Sequence, residues 1–132
     1  MEIYNLKKEK LLFKDNRGWM GYLAEFANRK SLSIKNIHLG SISPGGIRAN
    51  HLHKQQIEWF FVFGGKALIA WKENGKKKTK KISERDFLVF EFNKNCLHAV
   101  KNIDTKEIYV CAFANKKNNF QKPDRFIEKI IE

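Results

Sequence analysis

The chain has 132 residues, 42% of them apolar and 13% aromatic, which is enough for a buried core and excludes a disordered polymer. Lys and Arg number 26 against 14 Asp and Glu, and the net charge of +12 favours anionic partners. No stretch approaches the roughly 18 apolar residues of a membrane span, and the opening MEIYNLKKEK lacks a hydrophobic signal core, so a cytoplasmic protein with no membrane partner is expected. Cys96 and Cys111 are too few and too far apart for a disulfide scaffold or a CxxC knuckle, and both are expected as free thiols.

Along the chain, short β-rich runs alternate with turn residues. KLLFK is followed by the turn DNRG and by WMGYLAEF; LSIKNIHLGSI reads as a strand that SPGG at 43–46 interrupts. IEWFFVF, Gly64-Gly65 and KALIAWKE come next. KENGKKKTKK at 72–81 holds Asn74-Gly75, a hairpin dipeptide, and then come KKISERD, FLVFEF, CLHAVKNI and EIYVCAFA. This rhythm predicts an all-β sandwich or barrel as one domain over 1–132, its core spanning about 10–115. One short helix is expected, C-terminal at about 124–131. There Pro123 and Asp124 suit an N-terminus, and Ile127, Ile130 and Ile131 share a face.

The lysines of 72–81 have no aromatic residues between them, as single-strand stacking would need, so nucleic acid is not an expected partner. In EWFFVF, Glu58, Phe60 and Val62 fall on one face and Trp59, Phe61 and Phe63 on the other. A strand apolar on both faces suits a barrel covered outside by a second sheet or by a partner subunit, and a homodimer is expected.

The chemistry concentrates in GGIRANHLHKQQIEWFFVFGG, residues 45–65. His51 and His53 are two apart on an extended chain, so both side chains reach one face, roughly 6.5–7 Å apart along the backbone. Glu58 heads the next strand, and His98 heads another much later. A buried carboxylate is costly unless it is paired or metal-bound. Three neutral imidazoles with one carboxylate suit a single divalent transition metal, Zn, Fe, Mn or Ni. His38, in KNIHLGS, reads instead as a hydrogen-bonded structural histidine.

The spacing Gly45, His51, His53, Glu58, Gly65 resembles the first motif of the cupins. His98 and Asn102 keep the His-x-x-x-Asn spacing of the second, without its glycine and proline. The resemblance covers roughly residues 40–115. It implies a double-stranded β-helix, or jelly-roll barrel, with His51, His53, Glu58 and His98 as the metal set. FKDNRGWMGYLAEF and SISPGGIRANHLH are similar to segments of the nucleotide-sugar cupins, the RmlC-like rhamnose-pathway epimerases and deoxysugar ketoisomerases, with Ala49 where they have glycine after the arginine. That likeness implies Arg48, and more faintly Arg17, as contacts to the diphosphate of an anionic nucleotide-sugar substrate. It also implies His51, His53 and Tyr109 as acid/base groups. Many of those enzymes work without metal and need no acid at the position of Glu58.

Three functions compete. The first is an isomerase or epimerase that removes the proton beside the carbonyl of a nucleotide-activated keto-sugar. The second is a ferrous dioxygenase or lyase acting on a small acid, and the third a sugar- or acid-binding module without chemistry.

Overall fold

Period-two alternation of bulky apolar residues, broken by turns, gives strands that each bury one face or both. The computed structural model describes residues 1–132. In chain order its elements are β1 (Glu2–Asn5), β2 (Leu12–Asp15), β3 (Gly18–Gly21), α1 (Leu23–Arg29), β4 (Asn36–Ile42), β5 (Ile47–Leu52) and β6 (Glu58–Phe63). They continue as β7 (Ala67–Glu73), β8 (Lys76–Ile82), β9 (Leu88–Phe92), β10 (His98–Asn102), β11 (Ile108–Ala114) and β12 (Phe126–Ile127).

Two five-stranded antiparallel sheets, β1-β9-β6-β11-β4 and β12-β5-β10-β7-β8, face each other as a jelly-roll barrel, and β2 and β3 form a separate hairpin. Between the sheets lie Phe60, Val62, Ile69, Phe90, Phe92 and Val100, among others. Burying each such side chain contributes about 1.5–3 kcal/mol. At Asn74-Gly75 the chain turns with φ of 52° and 75°, the left-handed pair that a two-residue hairpin demands. The lysines that follow line β8, an outer strand of its sheet, where charge discourages edge-to-edge association. Gly65 closes the first motif for a steric reason. A Cβ there would lie 2.6 Å from Ile108 Cγ2 and 2.9 Å from Asp104 Oδ2.

Three expectations need correction. Residues 23–26, read with the β-rich run WMGYLAEF, belong instead to the helix α1, Leu23–Arg29. Leu23, Phe26 and Ala27 recur at i, i+3 and i+4 among good helix formers, and Phe26 and Ala27 are buried. The helix expected at 124–131 is absent. Phe126 and Ile127 pair instead with Leu52 and His51 of β5, and Ile127 stands 86% exposed. Backbone bonds from the barrel override the helical spacing of the isoleucines. The second sheet or partner expected outside β6 is also replaced by the chain's own N-terminal layer. Leu6, Leu11, Phe26 and Phe87, with Trp19 of the hairpin, pack on Trp59, Phe61 and Phe113.

Candidate metal and substrate site

The two sheets deliver the site residues from three strands. Glu58 begins β6, His98 begins β10, and His51 lies on β5 directly opposite His98, with His53 just beyond. One ligand atom from each of His51, His53, Glu58 and His98 lies within 4.8 Å of the others. Glu58 is 3% exposed, His53 3% and His98 fully buried, while His51 is only partly buried.

Hydrogen bonds orient two of the rings. His98 Nδ1–H donates to the Cys96 carbonyl at 2.8 Å, and the ring stacks on Phe92 with centroids 4.2 Å apart. His53 Nδ1–H donates to the Asp124 carbonyl. Both Nε2 atoms consequently face Glu58 Oε1, each at 3.3 Å. His51 Nε2 is buried with no partner at all. An orphaned imidazole nitrogen beside two more, all converging on one carboxylate, is a donor set that fits a divalent ion. Carbonyls on the far nitrogens of two rings match the outer support that metal-binding histidines usually have.

The electrostatics agree. Burial, reinforced by the imidazoles of His98 and His53, pushes His51 down to about 3, so that it stays neutral with a free lone pair. Burial would raise the Glu58 carboxyl, but bonds from His53 and His98 outweigh it and hold the group well below the usual carboxylate range. Burial would likewise lower His53, and the Glu58 carboxylate with the Asp124 carbonyl reverses the sign and raises it.

A β-bulge sets the direction of Arg48. Val100 pairs with Arg48 and His98 with His51, while Ala99 pairs with Ala49, so Asn50 is the extra residue of β5. In a regular strand without the bulge, Arg48 and His51, three residues apart, would point to opposite faces. With it, both lie on the face of Val100 and His98, about 6.5–7 Å apart along the strand. Ala49 and Asn50 adopt φ of 70° and 54° to make the bulge. Arg48 is exposed, and its Nε and Nη2 donate to the Ser41 carbonyl of the facing sheet at 3.3 and 3.0 Å. The left-handed backbone at Ala49 explains a glycine preference. Ala49→Gly is expected to leave the melting temperature near the parent's or raise it, whereas Ala49→Val, β-branched at positive φ, is expected to lower it by several degrees. Equal losses in the two variants, measured by calorimetry, would remove the backbone explanation.

Other candidates are not brought to the cluster. Tyr109 is on the outer face of β11, 44% exposed, opposite Phe63 with the ring planes tilted by 33°, so within this chain it points away from Glu58. Its alternation with the inward Val110 puts it there. Arg17 is in the exposed β2–β3 turn, ion-paired to Asp15, in the layer outside β6. His38 is exposed on β4 and makes no side-chain hydrogen bond, contrary to the structural role expected of it. Asn102 is structural. Its Nδ2 donates to the Ile42 and Lys106 carbonyls at 2.7 and 2.8 Å, joining two turns. Sequence reading missed the C-terminal segment, where Asp124 touches His53 and Arg125 follows on the face of the histidine pair, because it was read as helix.

Residues 13–126 match the polysaccharide biosynthesis C-terminal domain family, most of the chain. The chain belongs to this family. Its barrel is RmlC-like. Among solved structures, the 3,4-ketoisomerase QdtA from Thermoanaerobacterium thermosaccharolyticum, in complex with TDP-4-keto-6-deoxyglucose, superposes with a TM-score of 0.75 at 12% identity, over 95% of this chain and 85% of that one. A 3,4-ketoisomerase from Helicobacter canadensis gives 0.75 at 19%, over 95% and 88%. The capsular polysaccharide assembling protein CapF from Staphylococcus aureus gives 0.68 at 17%, over 91% of this chain. The chain spans about a third of the CapF length, 32%. No curated protein matches the sequence. No helix of this family member is long and apolar enough to cross a membrane.

Proposed function

We propose that this chain is a metal-binding isomerase or epimerase of a nucleotide-activated keto-sugar, acting by proton removal beside the carbonyl. The observation that carries the reading is the convergence of three imidazoles and Glu58 within 4.8 Å, one imidazole nitrogen being buried and unpartnered. The barrel likeness to 3,4-ketoisomerases supports the substrate class, and it favours this reading over an oxygenase, a lyase or a non-catalytic binder. His51, His53, Glu58 and His98 would hold one divalent ion. When bound, the ion supplies positive charge for the enediolate oxygens that proton removal creates. Arg48, on the same face and with guanidinium hydrogens to spare, would bind the diphosphate. Phe60, Phe92 and their neighbours wall the cluster and exclude water from one side. His51 Nε2 cannot hold the ion and take a substrate proton at once, so His51, the partly buried and unpartnered member, would take the proton from the carbon beside the carbonyl while His53, Glu58 and His98 would keep the ion in place.

The test is incubation with TDP-4-keto-6-deoxyglucose in deuterated water, read by NMR and mass. Deuterium entering a carbon beside the ketone supports the proposal; a panel of nucleotide keto-sugars with no exchange overturns it. Arg48→Ala is expected to weaken nucleotide-sugar binding by the roughly 1.5–3 kcal/mol of a charge-assisted contact, about 10- to 150-fold, with the melting temperature unchanged. Isothermal titration that found parental affinity would remove the phosphate role.

A homodimer is also proposed. Unlike lysine-lined β8, the outer strand β4 has no charged residue and exposes Ile37 and Leu39 at 67% and 77%. They adjoin an apolar groove against α1 that includes Leu23, Ala27, Leu32, Ile34 and Phe113. An antiparallel β4–β4 pairing of two copies is self-complementary about a two-fold axis. Light scattering at micromolar concentration is expected to give twice the 15.5 kDa chain mass, and a monomer would refute the pairing.

A further inference from the structure

Asp124 holds both the His53 ring and the backbone that carries it. Its carboxylate accepts the N–H groups of Lys54, Gln55 and Gln56 at 2.9, 2.9 and 3.1 Å, the three residues that follow His53. Its own carbonyl accepts the His53 Nδ1–H. From Asp124 the chain continues into β12, with Ile127 opposite His51. Further on, Asn50 secures the end of the segment. Its Oδ1 accepts Ile130 and Ile131 N–H at 3.0 and 3.1 Å, and its Nδ2 donates to the Ile131 carbonyl at 2.9 Å. Ile131 is buried against Ala70 and Ala99. The segment is thus held by side chains at two separate points with the β12–β5 ladder between them, and of the two side-chain anchors only Asp124 contacts a site histidine.

We propose that Asp124 is a positioning residue for His53: it keeps the ring proton on Nδ1 and so leaves Nε2 open toward Glu58. A neutral imidazole carries one proton. Without an acceptor at Nδ1 the His53 ring can instead place that proton on Nε2 and donate it to Glu58 Oε1, 3.3 Å away. That tautomer blocks the nitrogen any ligand in the cluster would need. The Asp124 carbonyl competes for the proton. The three bonds to its carboxylate fix the carbonyl in place, so the side chain acts on His53 through its own main chain.

The proposal rests on the metal reading for its consequence, but not for the tautomer itself, and the experiment separates the two. Nitrogen-15 NMR of the histidine rings is recorded on metal-free full-length protein at a pH where the rings are neutral, with the His53 peaks assigned from their loss in His53→Gln. The parent is expected to show His53 protonated at Nδ1. Asp124→Ala is expected to move it to a mixture with the Nε2 form. Asp124→Asn, which keeps the size and one acceptor, is expected to lie between them, and it serves in place of the alanine variant if that fails to fold. Ile131→Ala, which empties the far anchor against Ala70 and Ala99, loosens only the tail end and is expected to match the parent. In a Co²⁺ titration Asp124→Ala is expected to bind about 10- to 100-fold more weakly than the parent, the usual loss when the support behind a histidine ligand goes. A parental tautomer in Asp124→Ala overturns the proposal. So does an Ile131→Ala effect as large as that of Asp124→Ala, which would mean general tethering. A parent that takes up no Co²⁺ ends the metal reading, and the NMR comparison then decides the positioning role by itself.

Discussion

On the proposed metal reading, replacing Glu58 by glutamine is expected to abolish transition-metal uptake and to lower the melting temperature with it. The substitution keeps the shape and leaves an oxygen to accept hydrogen bonds, but removes the only negative charge among the four converging groups. A divalent ion held by these donors would bind only the folded state, where they are assembled, so loss of affinity would appear directly as loss of stability in metal-replete buffer. Affinity in the parent should also rise with pH. An incoming ion must displace the proton on His53, whose pKa is raised above 6.5 by Glu58 and the Asp124 carbonyl against the effect of burial. Below that raised value the proton competes and metal binding weakens; above it the competition ends. Proton release on Zn²⁺ addition, followed by calorimetry in buffers of different ionisation heat, reports this. In a metal-free site of the ketoisomerase kind, glutamine would be tolerated, since no ion is lost and a costly buried carboxylate is removed. The sign of the change in melting temperature therefore separates the two readings. Parent protein that carries no transition metal, and takes none up when offered, would end the metal reading outright.

The inner half of the barrel was legible because each of its strands obeys one local rule. Alternation in EWFFVF placed Glu58 inward with Phe60 and Val62, and Asn74-Gly75 marked its hairpin without help from the rest of the chain. The cluster was legible for the same reason: two histidines at i, i+2 on an extended segment must share a face. What the sequence hid was decided between segments distant in the chain. The isoleucines at 127, 130 and 131 fit a helix when read alone. The bonds that prevent one come from Asn50 and from the backbone after His53, some 70–80 residues away. Tyr109 faces away from the cluster by a single step of alternation, since Ile108 and Val110 take the inward positions. The bulge at Asn50 was hidden too. Strict alternation puts Arg48 and His51 on opposite faces, and only the resemblance to sugar cupins suggested that both serve one pocket.

The second large effect belongs to a residue with no chemistry of its own. Phe92→Ala is expected to destabilise the fold by about 3–5 kcal/mol, the usual result of emptying a buried aromatic site. Phe92 is fully buried, edge-on to Phe60 at 5.6 Å and stacked on His98 at 4.2 Å with the planes 7° apart. It lies on an inner strand, where backbone bonds to both neighbours limit collapse into the void. A domain of this size has a total stability of about 5–15 kcal/mol, so the variant stands near the threshold of folding, with a melting temperature lower by roughly 10–20 °C. Phe92→Leu, which refills much of the volume, is expected to lose less than half as much. The site responds differently from the fold. His98 keeps its Nδ1 bond to the Cys96 carbonyl in both variants, and that bond, not the stacking, fixes which nitrogen faces Glu58. Metal affinity at a temperature where each variant is folded should therefore fall far less than in Glu58→Gln. Denaturant unfolding and a Co²⁺ titration on the same preparations measure both quantities. A Phe92→Ala protein as stable as the parent would contradict the packing described for the barrel core. One that is folded yet binds Co²⁺ as poorly as Glu58→Gln would mean that the aromatic stack, rather than the carbonyl, holds His98 in place.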